Sequence, residues 1–405
     1  MKERYDLVVA GGGYVGLSLA LAVRRQSALS VLVVEPQTIA HLRRDERASA
    51  VAAAATRMLN VLGIWDKICH EAEPIKKMVV TDSKLGDVVR PALLTFDDNC
   101  KDGTSFAHMV PNGVMVGALA DAAQTAGVEI VEEDAVRDFD VHGAKVTVRL
   151  RSGKSVETSL LVAADGVRSS LRDLAGISTV RFDYDQVGIV TTVAHERPHE
   201  GCAVEHFLPA GPFAILPLKG NRSSLVWNER SDDAKRLLAM DDFTFGLELE
   251  RRFGKQLGAL EELGPRKGFP LGMVLARNYV ASRFALLGDS AHGIHPIAGQ
   301  GLNLGFKDVA ALAEVLVDAS RLGQDIGAFD VLERYQRWRR FDTVQMGMTC
   351  DILNRLFSNK SFLLRHVRDF GLGVVDRLPG LKRAFIEEAA GNQGDVPKLL
   401  KGEAL

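Results

Sequence analysis

Three glycines and a glutamate near the start of the chain have the spacing of a dinucleotide-binding site. Gly11, Gly13 and Gly16 form the pattern GxGxxG. The first glycine permits a tight turn, the second lets backbone approach a pyrophosphate, and the third lets a helix pack close to a strand. Glu35 ends the next apolar run, where a carboxylate can accept hydrogen bonds from a ribose hydroxyl. The alternative is a glycine-rich structural turn, and the motif alone does not distinguish NAD from FAD.

A second motif places an aspartate and a glycine at the end of a later apolar run. Residues 161–172 read LVAADGVRSSLR, so Asp165 and Gly166 end a predicted strand just before a predicted helix. Taken alone, an Asp-Gly pair at this point is typical of an ordinary turn. Its meaning therefore depends on the other motifs.

The third motif is the longest. Residues 288–305 read GDSAHGIHPIAGQGLNLG and begin with Gly288 and Asp289. An aspartate in this position can bind sugar-like hydroxyls, while Gly299 and Gly301 leave bare backbone against which a flat ring can lie. The helix predicted next would point its positive N-terminal end at that ring, which favours negative charge on a reduced flavin. The three motifs together therefore indicate FAD.

Two histidines in the third motif are the weak candidates for catalysis. His292 and His295 form an HxxH just before Pro296. An imidazole titrates near neutral pH, so either histidine could act as a base; packing and hydrogen bonding within the loop is the alternative role. A zinc site would need a third ligand at a suitable spacing, and the sequence offers none nearby. No metal is predicted.

These motifs need strands and helices that hold them in place. Residues 5–10 and 31–34 are short apolar runs typical of buried strands, and residues 14–26 between them have the apolar spacing of a helix. This order predicts a βαβ unit with the glycines at the first turn. Residues 128–164 are typical of an antiparallel meander, and helical patterns dominate from about Gln300.

Composition limits the class of protein. The 405 residues are 46% hydrophobic, and because single cores stop growing at about 250–300 residues, two lobes are expected. A formal net charge of −2 gives no positive field to recruit nucleic acid, so no nucleic-acid partner is predicted. No uncharged apolar run reaches the roughly 18 residues of a membrane span. Four widely separated cysteines favour reduced thiols in the cytoplasm.

The three motifs, in this order, resemble the fingerprints of the class A flavoprotein aromatic hydroxylases. Within that class the chain is similar, nearly end to end, to the ubiquinone-biosynthesis hydroxylases of the UbiH/UbiF type. Beyond the first two motifs, the segments that carry this likeness are RASA at 47–50, EHFLPAGP at 205–212, LPL at 216–218 and the run at 288–305. The last segment is the most specific.

The resemblance implies an α/β fold with two lobes. One is a glutathione-reductase-like Rossmann lobe that binds FAD, and the other is an inserted β-sheet substrate lobe, as in p-hydroxybenzoate hydroxylase, followed by a C-terminal helical tail. The expected bounds are 1–75, 101–178 and 273–345 for the FAD lobe, 76–100 and 179–272 for the substrate lobe, and 346–405 for the helical region.

The resemblance also assigns residues to the cofactor. Asp289 would bind the ribityl or pyrophosphate region, Asp165 would support the pyrophosphate side, and Arg47 would lie near the flavin. Pro296 and residues 299–303 would line the isoalloxazine. The complete set of predicted cofactor-binding residues is Gly11, Gly13, Gly16, Glu35, Arg47, Val136, Asp165, Gly166, Gly288, Asp289, Pro296, Gly299, Gly301, Leu302 and Asn303.

The implied reaction is hydroxylation of an electron-rich ring. FAD would be reduced, react with O2 at its C4a carbon, and transfer one oxygen atom from the resulting hydroperoxide, so the cofactor carries out the difficult chemistry. No second GxGxxG follows a strand elsewhere in the chain. NAD(P)H would therefore dock transiently, or an external electron donor would reduce the flavin.

Two further stretches bear on the substrate. Residues 207–218 would be a strand pair that faces the flavin, or else ordinary core. Near the C-terminus seven basic residues stand against Asp369 and Asp376 and alternate with apolar ones: Arg355, Lys360, Arg365, Arg368, Arg377, Lys382 and Arg383. Such a region can lie on an anionic bilayer and receive a prenylated phenol from it. A solvated helical face or a contact with another subunit is the alternative.

The leading prediction is an FAD-dependent hydroxylase acting on a polyprenyl-phenol intermediate of ubiquinone biosynthesis. One alternative is another flavin oxidoreductase, such as a prenyl reductase or a hydroxylase of a different small phenol. A third is a non-catalytic FAD-binding subunit of a biosynthetic complex. Peripheral attachment to the inner face of the cytoplasmic membrane, a ubiquinone-biosynthesis complex and a homo-oligomer stay open as associations.

Overall fold

The computed structural model describes residues 1–82, 85, 90–96, 105–358, 390–391 and 394–405. Of the seven basic residues considered for membrane contact, only Arg355 is among them. The other six, and most of the predicted helical region 346–405, lie outside the described residues.

The described residues contain strands that form three sheets. In chain order they are β1 (Arg4–Ala10), β2 (Val31–Val34), β3 (Ala48–Ala52), β4 (Glu73–Ile75), β5 (Lys77–Asp82), β6 (Ala92–Phe96), β7 (Ala107–Pro111), β8 (Glu129–Val131), β9 (Val136–His142), β10 (Lys145–Leu150), β11 (Ser155–Ala163), β12 (Thr179–His195), β13 (Cys202–Leu208), β14 (Gly211–Leu218), β15 (Arg222–Arg230), β16 (Leu260–Leu263), β17 (Lys267–Ala276), β18 (Val280–Ala281), β19 (Phe284–Leu286) and β20 (His292–Gly293).

Helices connect and cover these sheets. In chain order they are α1 (Tyr14–Gln26), α2 (Ile39–Leu42), α3 (Ala53–Val61), α4 (Trp65–Ile68), α5 (Asn112–Thr125), α6 (Ser170–Leu174), α7 (Ser231–Leu238), α8 (Asp242–Phe253), α9 (Gln300–Arg321), α10 (Phe329–Phe357) and α11 (Lys398–Lys401).

The first sheet carries the predicted βαβ unit. Its order is β18-β19-β11-β1-β2-β8, and the hairpin of β9 and β10 continues antiparallel from β11. β1 is parallel to β2 on one side and to β11 on the other. The four residues of β2 are all buried, as is typical of a parallel strand covered on both faces. The carboxyl ends of β1 and β11 therefore meet at one edge of the sheet.

The second sheet has the order β20-β17-β12-β15-β14-β13-β5-β6. Its strands are long and mostly antiparallel, and β5 alone joins β13 in parallel within the described part. Side chains alternate between its faces. One face packs Phe213, Leu225 and Trp227 against α7 and α8, where Phe245 and Leu249 complete a small core. The opposite face is left to border a cavity.

A third sheet, β3-β7-β4, lies beside the first one. The core of the first sheet is the larger, because α1, α5 and α9 pack on it with residues such as Leu17, Leu119 and Leu312 fully buried. The end of the chain is tied to this core, since Arg57 Nε donates to the carbonyl oxygen of Leu400 at 2.9 Å. Within the described residues no helix is long and apolar enough to cross a bilayer.

Candidate active site

A cavity of about 640 Å3 lies between the second sheet and the segments that carry the third motif. This volume is within the range of small-molecule sites. The sheet side of its lining includes Ala203, Glu205, Pro212, Ala214, Leu216, Val226 and Asn228. The opposite side includes Tyr14, Ala50, Ala52, Asp289, Pro296, Gly299, Gly301, Leu302 and Asn303. The cavity thus joins half of the residues of the third motif to the face of the second sheet that is free of α7 and α8.

The first and second motifs are brought together at the ends of β1 and β11. Gly11 has a φ of +117°, and a Cβ there would collide with the carbonyl oxygen of Ala164, next to Asp165. A Cβ at Gly16 would collide with the carbonyl oxygen of Gly11. Both positions therefore require glycine, as the spacing predicted.

The N-terminus of α1 is open toward this junction. Gly13 precedes the helix, no side chain caps it, and its first turn holds no acidic residue. A Cβ at Gly13 would meet nothing within 4 Å. The unpaired N–H groups of the first turn can therefore take an anion from outside the protein.

Glu35 lies beside this turn and is buried. Its Oε2 accepts a hydrogen bond from the Gly12 N–H at 2.6 Å, and its Oε1 accepts one from the Gln37 N–H at 3.0 Å. A carboxylate has about four lone-pair sites, so two remain for hydroxyl groups of a ligand.

The third motif turns sharply before entering the cavity wall. Gly288 has a φ of +64°, and its backbone N–H donates to Asp308 Oδ2 at 3.1 Å. The next residue, Asp289, lines the cavity, where its side chain is exposed. Partial desolvation within the cavity raises the pKa of the Asp289 carboxyl, and His292 offsets part of this rise.

Asn303 in the first turn of α9 ties this helix to β3. Its Oδ1 accepts the N–H of Ala52 at 2.9 Å, and its Nδ2 donates to the carbonyl oxygen of Ala50 at 2.9 Å. Gly299 before the helix has a φ of +63°, and no side chain caps the helix. A Cβ at Gly301 would meet nothing within 4 Å. At Gly299 and Gly301 the cavity wall therefore consists of backbone atoms, and at Gly301 there is open space next to that backbone.

Other predicted cofactor residues do not border the cavity. Arg47 lies near it, paired with Asp45 at 2.7 Å and placed 5.2 Å from the ring centre of Phe269. Asp165 and Gly166 follow the end of β11, and the side chain of Asp165 is exposed. Val136 begins β9 and is buried in the large core. The cofactor role of each residue stays a prediction.

The two candidate histidines also stay outside the cavity lining. His292 is fully buried, and its Nε2 is 2.5 Å from Oδ2 of Asp308, which also accepts from Arg339 Nε at 2.8 Å through Oδ1. Burial by itself would raise the pKa of Asp308, but its interactions with His292 and Arg339 outweigh it and hold that pKa below its usual value. His292 is therefore part of a buried polar network.

His295 is almost completely buried, and its ring lies edge-on to Tyr184 at 5.3 Å. Neither ring nitrogen has a hydrogen-bond partner among the described residues. Burial lowers the pKa of His295 to about 4. A neutral imidazole at this site is therefore the form present near neutral pH. No cluster of three or more possible metal ligands occurs in the described part of the chain.

Sequence reasoning missed two polar residues in the sheet wall. Glu205 on β13 and Asn228 on β15 face the cavity among alanine, leucine, proline and valine side chains. The stretch 207–218 contributes to both environments, because Pro212, Ala214 and Leu216 line the cavity while Phe213 and Ile215 enter the small core. The period-2 alternation of these strands was the available signal, but it does not say which face meets the cavity.

Sequence reasoning also missed the Asp308–Arg339 pair. Asp308 lies on α9 between Phe306 and Val309, which are both fully buried. A charged residue within a run of buried apolar positions is the signal that could have indicated a paired carboxylate.

Comparison with known proteins places these features in a family. The family model described as "FAD binding domain" matches residues 4–342. Ubiquinone hydroxylase UbiL of Rhodospirillum rubrum is 43% identical, over 99% of this chain and 93% of that protein. The 3-demethoxyubiquinol 3-hydroxylase of Escherichia coli is 33% identical, over 95% of this chain and 98% of that protein. The crystal structure of p-nitrophenol 4-monooxygenase PnpA from Pseudomonas putida has the same fold, with a TM-score of 0.82, 20% identity, and coverage of 98% of this chain and 100% of that one.

Proposed function

This chain belongs to the family of FAD-binding hydroxylases of ubiquinone biosynthesis, and from that premise we propose that it hydroxylates the aromatic ring of a polyprenyl-phenol precursor of ubiquinone. The observation that carries the proposal is the cavity between the second sheet and residues 296–303, with an apolar wall on one side and bare backbone on the other. A flat flavin suits the backbone side, and an apolar ring suits the sheet side. FAD, NAD(P)H and O2 are the cofactor and co-substrates.

The glycine positions support FAD as the resident group. Gly13 and Gly301 each stand near the start of a helix with space where a Cβ would be. Neither α1 nor α9 has a side-chain cap or an acidic residue in its first turn. Two helix N-termini thus offer unpaired N–H groups, one suited to the pyrophosphate and one to the ring system. Glu35 would hold the ribose of the adenosine, and Asp289 the ribityl region.

The chain's own residues bind, orient and shield the reactants. When bound, FAD supplies the chemistry that delivers one atom of O2 to the ring. Ala203, Ala214 and Leu216 on the sheet would hold the substrate ring flat against the opposite wall and keep water away from it. Orientation of this kind contributes much of the rate in such reactions, because the reacting groups no longer have to find each other.

The direct test is product analysis with isotopically labelled O2. Purified holoenzyme is supplied with NADPH and a short-chain prenylated phenol, and the product is examined by mass spectrometry. One labelled atom on the ring is the expected result. Reduced flavin with unlabelled, unhydroxylated product would favour the alternative of another flavin oxidoreductase, and flavin binding without substrate-linked O2 uptake would favour a non-catalytic subunit. Rapid flavin reduction by NADPH alone would exclude the need for an external donor.

We also propose that the enzyme works at the cytoplasmic surface of the membrane, because a prenyl tail dissolves in lipid and not in water. Flotation with anionic liposomes at low ionic strength should carry the protein to the lipid fraction, and raised salt should release it. Recovery of all the protein below the liposomes would contradict the membrane part of the proposal without touching the hydroxylase part.

A further inference from the structure

Two carboxyl groups line the cavity from strands of the second sheet among the described residues, Asp183 on β12 and Glu205, and of these Glu205 is the buried one. It lies on β13, opposite Ala214 of β14 and Val80 of β5. The side chain is only 5% exposed and points into the cavity, yet it has no hydrogen bond or ion pair with any described residue. Its neighbours on this wall are small or apolar.

A buried carboxyl without a partner lowers stability, because the group loses its contacts with water and gains none in return. Asp308, which is also fully buried, is paired on both oxygens with His292 and Arg339. Glu205 differs in facing a space that a ligand can fill. A donor on that ligand would supply the missing hydrogen bond.

We propose that Glu205 accepts the proton of the ring hydroxyl of the substrate, an inference that rests on the hydroxylase function proposed above. The phenolic O–H bond breaks, a new O–H bond forms on the Glu205 carboxylate, and the electron pair stays on the phenolic oxygen. An ionised oxygen makes the ring richer in electrons and so more reactive toward an electrophilic oxygen. The carboxyl returns the proton to the same oxygen after hydroxylation, so the step is neutral over the cycle.

The protonation state of Glu205 suits this role. Burial raises the pKa of Glu205 to about 7, so the carboxylate and the carboxylic acid are both present near neutral pH. A general base is most effective when its pKa is close to the working pH. Other titratable groups lie near Glu205. Those that line the cavity are Tyr14, Arg168, Arg181, Asp183 and Asp289. Asp82 shares this face of the sheet, and the buried Cys350 lies on α10. None of them contributes to the shift, which burial alone causes.

Asn228 gives the ring a second polar contact. Its Oδ1 is buried and has no hydrogen-bond partner among the described residues. β14 separates β13 from β15, and Asn228 lies two residues along β15 from Val226, which is in register with Glu205 through Ala214, so the two polar residues are about 12 Å apart by the usual strand dimensions. Two separated polar groups on an apolar wall would set the direction of a phenol ring that carries a second oxygen.

The first experiment measures binding without turnover. Oxidised holoenzyme is titrated with a short-chain prenylated phenol and with its O-methyl ether, which has no proton to give, and flavin absorbance reports binding. Above pH 7 the wild type should prefer the phenol by roughly 10- to 100-fold, the value of a hydrogen bond to a charged group. This preference should fall as the pH drops below about 7, because Glu205 becomes protonated. In Glu205→Gln the preference should be smaller and independent of pH.

The second experiment measures turnover with phenols of different acidity. Glu205→Gln should lose roughly 10²- to 10⁴-fold in kcat with an ordinary phenol, which is the usual contribution of a general base. Polyfluorinated phenols, which are largely ionised near neutral pH without a base, should recover part of that loss. The matched control is Glu250→Gln on the exposed face of α8, which should leave both experiments unchanged. Flavin content and Tm of each variant show that the fold is retained.

The outcomes separate this proposal from the function on which it rests. If the wild type hydroxylates the phenol but Glu205→Gln keeps its pH-dependent preference and its rate, the role of Glu205 is wrong and the hydroxylase stands. Equal affinity of the wild type for phenol and ether would also overturn it. If the wild type binds and hydroxylates no phenol, the hydroxylase function fails and the proposal for Glu205 fails with it.

Discussion

Single polar side chains join distant segments around the cavity, and Asn303 is the clearest case. Its amide bridges α9 to β3 through Ala50 and Ala52, and its Nδ2 also lies 3.2 Å from the carbonyl oxygen of Gly299. Backbone groups that lose such a partner inside a protein cost about 1–3 kcal/mol each. The position therefore governs both the local fold and the shape of the backbone wall.

Asn303→Ala should lower the free energy of unfolding by about 2–3 kcal/mol, since the buried N–H of Ala52 and the half-buried carbonyl oxygen of Ala50 lose their partner. FAD affinity should fall by at least about tenfold, because the wall between Gly299 and Asn303 is no longer held in place. Chemical denaturation and fluorimetric titration with FAD measure the two effects. Unchanged FAD affinity in a destabilised variant would show that this wall does not contact the flavin.

The buried network of His292, Asp308 and Arg339 is the second residue-scale feature. Asp308→Asn should destabilise the protein by about 3 kcal/mol, because the buried Arg339 loses one of its two anionic partners and keeps only the half-exposed Asp342. The same change at the exposed Asp232, which pairs with Lys235 on the surface, should cost less than about 1 kcal/mol. Thermal denaturation of both variants makes the comparison. Equal losses would contradict the assignment of the network as a structural anchor.

Asp308 also predicts the direction of a pH effect. Its pKa is lower in the folded protein than in the unfolded chain. Its contribution to stability is therefore fully present above the unfolded pKa of about 3.9 and is lost as the pH falls through the lower folded value. Acid unfolding of the wild type should include this loss, and Asp308→Asn should show a weaker dependence on acid pH. Parallel curves for the two proteins would contradict the prediction.

At the scale of elements, the β1–α1 turn contains two glycines that are needed for different reasons. Gly16 is needed for packing, because a Cβ there meets the Gly11 carbonyl oxygen, whereas Gly13 has space around it. Glycine is therefore needed at Gly16 for packing within the protein. At Gly13 it is needed only when a ligand lies against the turn.

Gly13→Ala should keep the fold, with a change in unfolding free energy of at most about 1 kcal/mol, but should lower FAD affinity by at least about tenfold because the methyl group takes the place of the pyrophosphate. Gly16→Ala should destabilise the protein outright. Circular dichroism, Tm and FAD titration distinguish the two. Normal FAD binding in Gly13→Ala would place the pyrophosphate elsewhere.

At the scale of the whole molecule, the cavity exists because two sheets and the third motif meet. Segments from the N-terminal third, the middle and the region near residue 300 contribute to its lining. A ligand bound there contacts parts of the chain that are far apart in sequence. Ligand binding should therefore stabilise the assembly as a unit.

Removal of FAD should lower the Tm, and adding it back should restore the Tm by about 3 °C. A ligand at 100 times its Kd stabilises the folded state by about 2.7 kcal/mol, and each kcal/mol corresponds to about 1 °C in a chain of this length. Riboflavin, which lacks the pyrophosphate and adenosine, is the control and should give a smaller shift. A protein that takes up no flavin, or whose Tm ignores it, would contradict the assignment of the site.

Residue spacing along the chain was enough to predict the local elements and the role of the glycines in the first turn. Gly11, Gly13 and Gly16 could be interpreted from spacing because strand, turn and helix geometry is set within a few residues. α1 spans Tyr14–Gln26, as its apolar spacing predicted. The bounds of the two lobes and the contacts of individual residues with FAD stay predictions.

Which polar residues share the cavity, and which are buried elsewhere, depends on how the sheets and helices pack together. His292 pairs with Asp308, while Glu205 faces the cavity without a partner. Strand alternation says that Glu205 and His206 point to opposite faces, but the choice of face follows from sheets packing across long stretches of chain. Side-chain environments of this kind depend on contacts between residues that are distant in sequence. The spacing of residues along the chain does not predict those contacts.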